Sequence, residues 1–244
     1  MNADKPHAPF VETRWSLVRQ LEPAHPEAER ALATLCQLYW PPLYAYARHR
    51  GKSPEDAEDL VQSFFLQVLR KNHFARADAA KGRMRNFLLT LFKRHLSGEF
   101  RKANTQKRAS GQAPLSLDDE ESWLEDQLPS HHNPEALYDR RWAETLLRAT
   151  LEELASTYAA KGQSARFAVL KAFLDHAAQL PDHETSADAL GLSKSSFQVA
   201  LHRFREQYRA ILHRHIADTL PENKPSEIKA ELLHLIAALR DEGE

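Results

Sequence analysis

TSADALGLSKSSFQVALHRFREQYRAIL, the stretch from Thr185 to Leu212, decides the fold. Thr185 with Asp188 three positions later suits a capping box, in which the Thr oxygen accepts an orphan amide while the carboxylate reaches back. A short helix is predicted to start there. Gly191 can adopt the left-handed conformation that ends it, Leu192 can turn into the core, and Ser193 can cap the next helix. In that second helix Phe197, Ala200, Leu201, Phe204, Tyr208, Ile211 and Leu212 recur at helical spacing and define a buried stripe. The opposite face carries Lys194, Ser195, Gln198, His202, Arg205 and Arg209. Arg and Lys donate to guanine edges and phosphates, Gln pairs with adenine and Ser with either, so that face suits a DNA groove. Two capped helices joined by a turn of three to four residues make a helix-turn-helix. The competing reading is an amphipathic helix with a solvated basic face.

Composition sets the outer limits. The chain has 244 residues, 42% hydrophobic and 27% charged, which allows one or two ordinary globular domains. Only seven Gly occur, and the long stretches of Ala, Leu, Glu and Arg favour helix over sheet. An all-α protein is predicted. A single cysteine, Cys36, leaves no internal disulfide and no multi-cysteine zinc site, and it fits a reducing cytoplasm. The opening MNADKPHAPF has no basic segment followed by an apolar one, and no apolar run approaches membrane-spanning length, so neither secretion nor membrane insertion is expected.

The net charge of −1 hides a segregation. From Lys93 to Arg108 six Lys or Arg face one Glu, whereas from Ala109 to Asp139 eight Asp or Glu occur without a Lys or Arg. The second stretch also lacks helical periodicity and is rich in turn residues, as linkers are. The expected organisation is an N-terminal extension (1–25), a helical domain (26–108), an acidic linker (109–133), a helix-turn-helix domain (134–220) and a C-terminal amphipathic helix (221–244). The linker is a solvated spacer or a tether able to cover a basic site.

In the N-terminal half, Pro26 suits the first turn of a helix whose apolar face is Ala31, Leu32, Leu35, Cys36 and Tyr39, and Pro41-Pro42 should break or kink it. Gly51 ends the following segment. Ser53-Pro54-Glu55-Asp56 supplies a cap, a first-turn proline and two acids at the positive end of the next helix. Ala57, Leu60, Val61, Phe64, Phe65, Val68 and Leu69 form its core stripe, flanked by Asp56, Asp59, Gln62, Ser63 and Leu66, a polar surface suited to a protein contact. A third helix, from about Arg83, should bury Phe87, Leu88, Leu91, Phe92 and Leu96 and expose Asn86, Thr90, Lys93, Ser97 and Arg101. With Arg94, Lys102, Lys107 and Arg108 its basic edge makes a footprint for phosphates.

SPEDAEDLVQSFFLQVLRK, then KGRMRNFLLTLFKRHLSGEFRKANTQKR, then a spaced helix-turn-helix, resembles a bacterial RNA polymerase sigma factor of the extracytoplasmic function group, in the sigma-70 family. The resemblance runs from about Glu27 to Ile216, and DAEDLVQ at Asp56 to Gln62 is its most specific part. It implies a transcription initiation factor that binds core RNA polymerase and promoter DNA. Asp56, Asp59, Gln62 and Phe65 would contact a coiled coil of the polymerase β′ subunit. Arg85, Asn86, Lys93, Arg94 and Arg101 would meet the −10 strand, and Lys194, Ser195, Gln198, His202 and Arg205 the −35 element. The Trp-Leu and Arg-Asn pairs usual in the −10 helix stand here as Phe87-Leu88 and Lys93-Arg94.

No cofactor, metal or catalytic role is expected. The thirteen His include no i, i+4 ligand pair with acidic support, and neither a Gly-rich phosphate loop nor a Ser, His and acid arrangement is visible. The alternative function is a helix-turn-helix regulator that never touches polymerase, and a third is an adaptor that binds a protein through the tail. In that tail Ile228, Leu232, Leu235, Ile236 and Leu239 form an apolar stripe, with Glu227, Glu231 and Asp241 expected on the exposed side. The stripe could complete the C-terminal core or fold back as a regulatory element. Control by an anti-sigma factor or other regulator, by the tail or by phosphorylation stays open.

Overall fold

A computed structural model of the chain describes residues 28–70, 83–109, 133–174, 181–220 and 224–240. They form eight α-helices and, among the described residues, no strand, so the chain is all-α as its composition predicts. The helices are α1 (Ala28–His49), α2 (Pro54–Arg70), α3 (Met84–Ala109), α4 (Pro134–Ala159), α5 (Ser164–Lys171), α6 (His183–Ala189), α7 (Lys194–Ala217) and α8 (Pro225–Arg240). Two compact units result, one from residues 1–145 with 216–244 and one from residues 146–215. The start of α4 and the end of α7 thus group with the first unit, because Tyr138, Trp142, Ile216 and Leu220 are buried there. The expected N-terminal extension, Pro26 and nearly all of the acidic linker lie outside the described residues.

The first unit is built on α1, α2 and α3, which pack on one another. Leu35, Tyr39, Leu43 and Tyr46 of α1 meet Leu60, Val61, Phe64 and Val68 of α2 and Leu88 and Phe92 of α3, all buried. Aromatic edges join them: Phe64 meets Phe92 edge-on at 5.2 Å, and Tyr46 meets Phe92 at 6.1 Å. One polar group enters this interface. The buried His95 of α3 hydrogen-bonds Ser63 Oγ through Nε2 (2.9 Å) and Gln67 Oε1 through Nδ1 (2.8 Å), both on α2.

Local punctuation explains the boundaries. Gly51 has φ +75°, and the bonds Gly51 N to Arg48 O (3.1 Å) and Lys52 N to Ala47 O (3.2 Å) close a Schellman turn. Ser53 Oγ then accepts from Asp56 N (3.1 Å), the expected N-cap of α2. Of the break or kink that the sequence predicts at Pro41-Pro42, the break does not occur: α1 continues as one helix to His49. Each proline removes one amide donor. Leu38, Tyr39, Leu43 and Tyr46, buried on both sides of the pair, hold the helix across the gap.

The second unit has its own core, with Leu154, Tyr158, Leu170, Phe173, Ala187, Phe197, Leu201 and Phe204 buried together. Phe173 meets Phe197 at 5.4 Å and Tyr158 meets Phe204 at 5.6 Å, both edge-on. Burial pushes the Tyr208 phenol at its margin up to about 12. Glu153 accepts from Arg214 and, at 2.9 Å, from His215, whose other ring nitrogen lies 3.2 Å from Thr150 Oγ1.

Gly191 sits at φ +63° with open space where a Cβ would be, so Gly191→Ala meets only the left-handed backbone penalty. The expected loss is about 1–2 kcal/mol in chemical denaturation, and Gly191→Asn should lose less. For Glu153, burial alone would raise the carboxyl, but the bonds from Arg214 and His215 outweigh it and hold the group below its usual range. A carboxyl lowered by folding stabilises above its unfolded pKa and loses that contribution as pH falls through the folded one. The melting temperature should therefore fall on acidification below the ordinary carboxylate range, and more steeply in the wild type than in Glu153→Gln.

Candidate nucleic-acid interface

The helix-turn-helix is α6, a turn of Leu190 to Ser193, and α7. Its start differs from expectation. Asp182, not Thr185, is the N-cap: one carboxylate oxygen accepts from Glu184 N (3.0 Å), Thr185 N (2.9 Å) and Thr185 Oγ1 (3.1 Å), so the helix begins at His183. Thr185 is spent as a donor to that cap. These bonds hold the Asp182 carboxyl below the usual range, the Thr185 amide first among them. The turn matches the sequence reading. Gly191 N bonds Asp188 O (3.0 Å), Leu192 N bonds Ala187 O (2.9 Å), and Ser193 Oγ accepts from Ser196 N (3.2 Å).

On α7, Phe197, Ala200, Leu201, Phe204 and Leu212 are buried, with Tyr208 and Ile211 partly so. That fixes the helix's rotation and leaves Lys194, Ser195, Gln198 and His202 exposed on one face. Arg205 is less available: half-buried, it donates from Nη2 to the Phe173 carbonyl (3.1 Å). Arg209 pairs with Glu206 at 2.5 Å. Beside this face stand Val199, 51% exposed, and exposed Arg203, neither of which the sequence reading selected. Val199 falls between members of the buried stripe, and that gap was its only signal. An exposed aliphatic group there can meet a thymine methyl.

In the first unit the predicted contact residues separate. Asp56, Asp59 and Gln62 are exposed on α2, and Leu66, 47% exposed, extends their surface. Phe65 does not join them: it is 5% exposed and stacks on Trp40 with ring centroids 6.1 Å apart. Its period places it at the edge of the apolar stripe, and Trp40 draws it inward.

On α3, Asn86, Arg94 and Arg101 are exposed, with Thr90 and Ser97 between them along one stripe. Arg101 Nε donates to Ser97 O (3.2 Å), which keeps its side chain along the helix. Lys93 is diverted, pairing with Glu135 and lying 5.8 Å from the Tyr46 ring centroid. Burial alone would raise the Glu135 carboxyl, but the bond from Lys93 outweighs it and keeps the group ionised. Arg85 is not on the surface at all. It is 2% exposed, with Nη1 2.6 Å from Asp139, Nε 2.8 Å from Glu231 and the guanidinium 5.2 Å from the Trp142 ring centroid. Glu231, expected on the exposed side of the tail, is fully buried. The side chains of Lys107 and Arg108 lie outside the described residues.

The arrangement therefore offers three exposed surfaces: an acidic one on α2, a polar and basic one on α3, and a donor-bearing one on α7. Among the described residues there is no group of His, Cys, Asp and Glu able to hold a metal, and no helix is long and apolar enough to cross a membrane. No curated protein and no solved structure matches the chain. Residues 35–106, which take in most of α1, all of α2 and most of α3, match the model of the family described as Sigma-70 region 2. The match makes this segment similar to region 2 of the sigma-70 factors, a family of transcription initiation factors, not enzymes, that bind core RNA polymerase and promoter DNA.

Proposed function

We propose that the chain is a cytoplasmic sigma factor of the extracytoplasmic function group, with 26–108 as its region 2-like part and 134–220 as its region 4-like part. Asp56, Asp59 and Gln62 dock on the polymerase β′ subunit. Asn86, Arg94 and Arg101, with Lys93 when it leaves Glu135, meet the −10 strand. Lys194, Ser195, Gln198 and His202 meet the −35 element. The observation that carries this reading is the Sigma-70 region 2 match at 35–106 together with a capped helix-turn-helix whose second helix exposes four polar or basic donors. A regulator acting alone would have no use for the acidic face of α2.

Run-off transcription with purified bacterial core polymerase and genomic DNA tests the proposal, with promoter-specific transcripts expected. Specific DNA binding without any transcript would instead favour the stand-alone regulator.

At residue level, Asp59→Arg reverses an exposed contact charge on α2 without touching its core. It should weaken binding to core polymerase in a titration and leave helicity unchanged; equal affinity would remove α2 from the interface. Phe65→Ala should act through the fold instead, lowering stability by roughly 3–5 kcal/mol for a buried aromatic truncation. Replacing Gln198 should change base preference by roughly 1–3 kcal/mol if it makes a bidentate contact. Replacing exposed Arg94 should weaken binding across all sequences and flatten its salt dependence. Identical behaviour of the last two variants would mean that the reading face is misassigned.

A further inference from the structure

The buried end of α3 has an unusual occupant. Glu231 of α8 is 0% exposed and takes two arginines: Arg85 Nε at 2.8 Å on one oxygen, and Arg83 Nε at 2.9 Å on the other, with Arg85 Nη2 at 3.5 Å. Arg85 also reaches Asp139 and lies 2.7 Å from His234 Nε2, which itself sits 3.0 Å from Asp139. Two guanidinium groups converging on one anionic group at the start of a helix is the geometry with which proteins hold a phosphate. Here a carboxylate of the same chain stands in that place.

The remainder of α8 is only partly covered, with Ile228, Leu232 and Leu239 half-buried. Only Glu231 and Leu235 are buried, while Leu233 and Ile236 are 58% and 36% exposed. A 16-residue helix gains little stability by itself, so its seat depends on these few contacts. A buried ion pair offsets much of its attraction with desolvation, so it holds position more than it adds stability.

We propose that α8 is an intramolecular cover over the arginines that open α3, and that Glu231 competes with nucleic-acid phosphate for Arg83 and Arg85. Displacement of α8 removes Glu231 from Arg83 and Arg85 and adds positive charge at the N-terminal end of α3, with Arg85 still paired to Asp139. This rests on the reading that α3 meets promoter DNA.

The test uses the full chain and a labelled single-stranded oligonucleotide, without polymerase. Glu231→Gln keeps the side chain's size and removes its charge. It should bind about tenfold more tightly than the wild type, with a steeper salt dependence from the additional phosphate contacts. Adding Arg83→Gln and Arg85→Gln to it should return affinity to the wild-type level or below. In the wild type, oligonucleotide binding should speed hydrogen exchange in the amides of residues 225–240. The proposal is overturned if folded Glu231→Gln binds no more tightly, if its gain survives loss of both arginines, or if neither protein binds at low salt. Unchanged exchange in 225–240 while DNA is bound overturns it equally, and that measurement decides should Glu231→Gln fail to fold. Failure of run-off transcription counts against the sigma factor reading and leaves this competition to be judged on its own.

Discussion

A charged guanidinium inside an apolar unit constrains everything near it. Arg85 is held by carboxylates from two other helices, Asp139 of α4 and Glu231 of α8, while its own backbone carbonyl accepts from Tyr138 Oη at 3.1 Å. Burial by itself would lower its pKa, but the two carboxylates outweigh burial and raise it, so the charge persists. Removing one partner from such a cluster typically costs about 3–5 kcal/mol, because the remaining charge stays buried. The start of α3, the first turns of α4 and the Glu231 turn of α8 therefore share one charge cluster. Residues as many as 149 positions apart in the chain meet in this one cluster.

The second unit solves its burial problem with neutral rings. Phe173, Phe197 and Phe204 turn edges toward neighbouring aromatic rings and ask for no charge partner. The polar side of α7 is left largely uncommitted, and four donors can remain at the surface. Arg205 and Arg209 show the exceptions, one turned to a carbonyl and the other to a neighbouring Glu206.

What could be read in the sequence was local. The α2 stripe, the Ser53 cap, the left-handed Gly51 and Gly191 and the exposed Asp56, Asp59 and Gln62 all follow from contacts within a few residues. Long-range partners were not legible. Nothing beside Arg85 in the chain distinguishes it from Arg94, because what separates them is an acid in a distant helix. Helical spacing places Phe65 on the margin of the stripe, and only Trp40 settles which way it turns. Thr185 is the cap that the capping-box spacing predicts; Asp182, which that reading does not select, prevails because one carboxylate oxygen accepts from three donors at once. At Pro41-Pro42 the lost backbone bonds alone predict an interruption, whereas the buried residues flanking the pair carry the helix through.

The small polar insertion between α2 and α3 has a mechanical consequence. Apolar faces tolerate sliding, since one methyl group can replace another, but His95 is bonded at both ring nitrogens to residues one helical turn apart on α2. A slip of one turn, about 5.4 Å, would break both bonds together. The histidine thus sets the phase between the two helices as a key sets two gears. A shift of α2 along its own axis therefore has to break these two bonds or carry α3 with it.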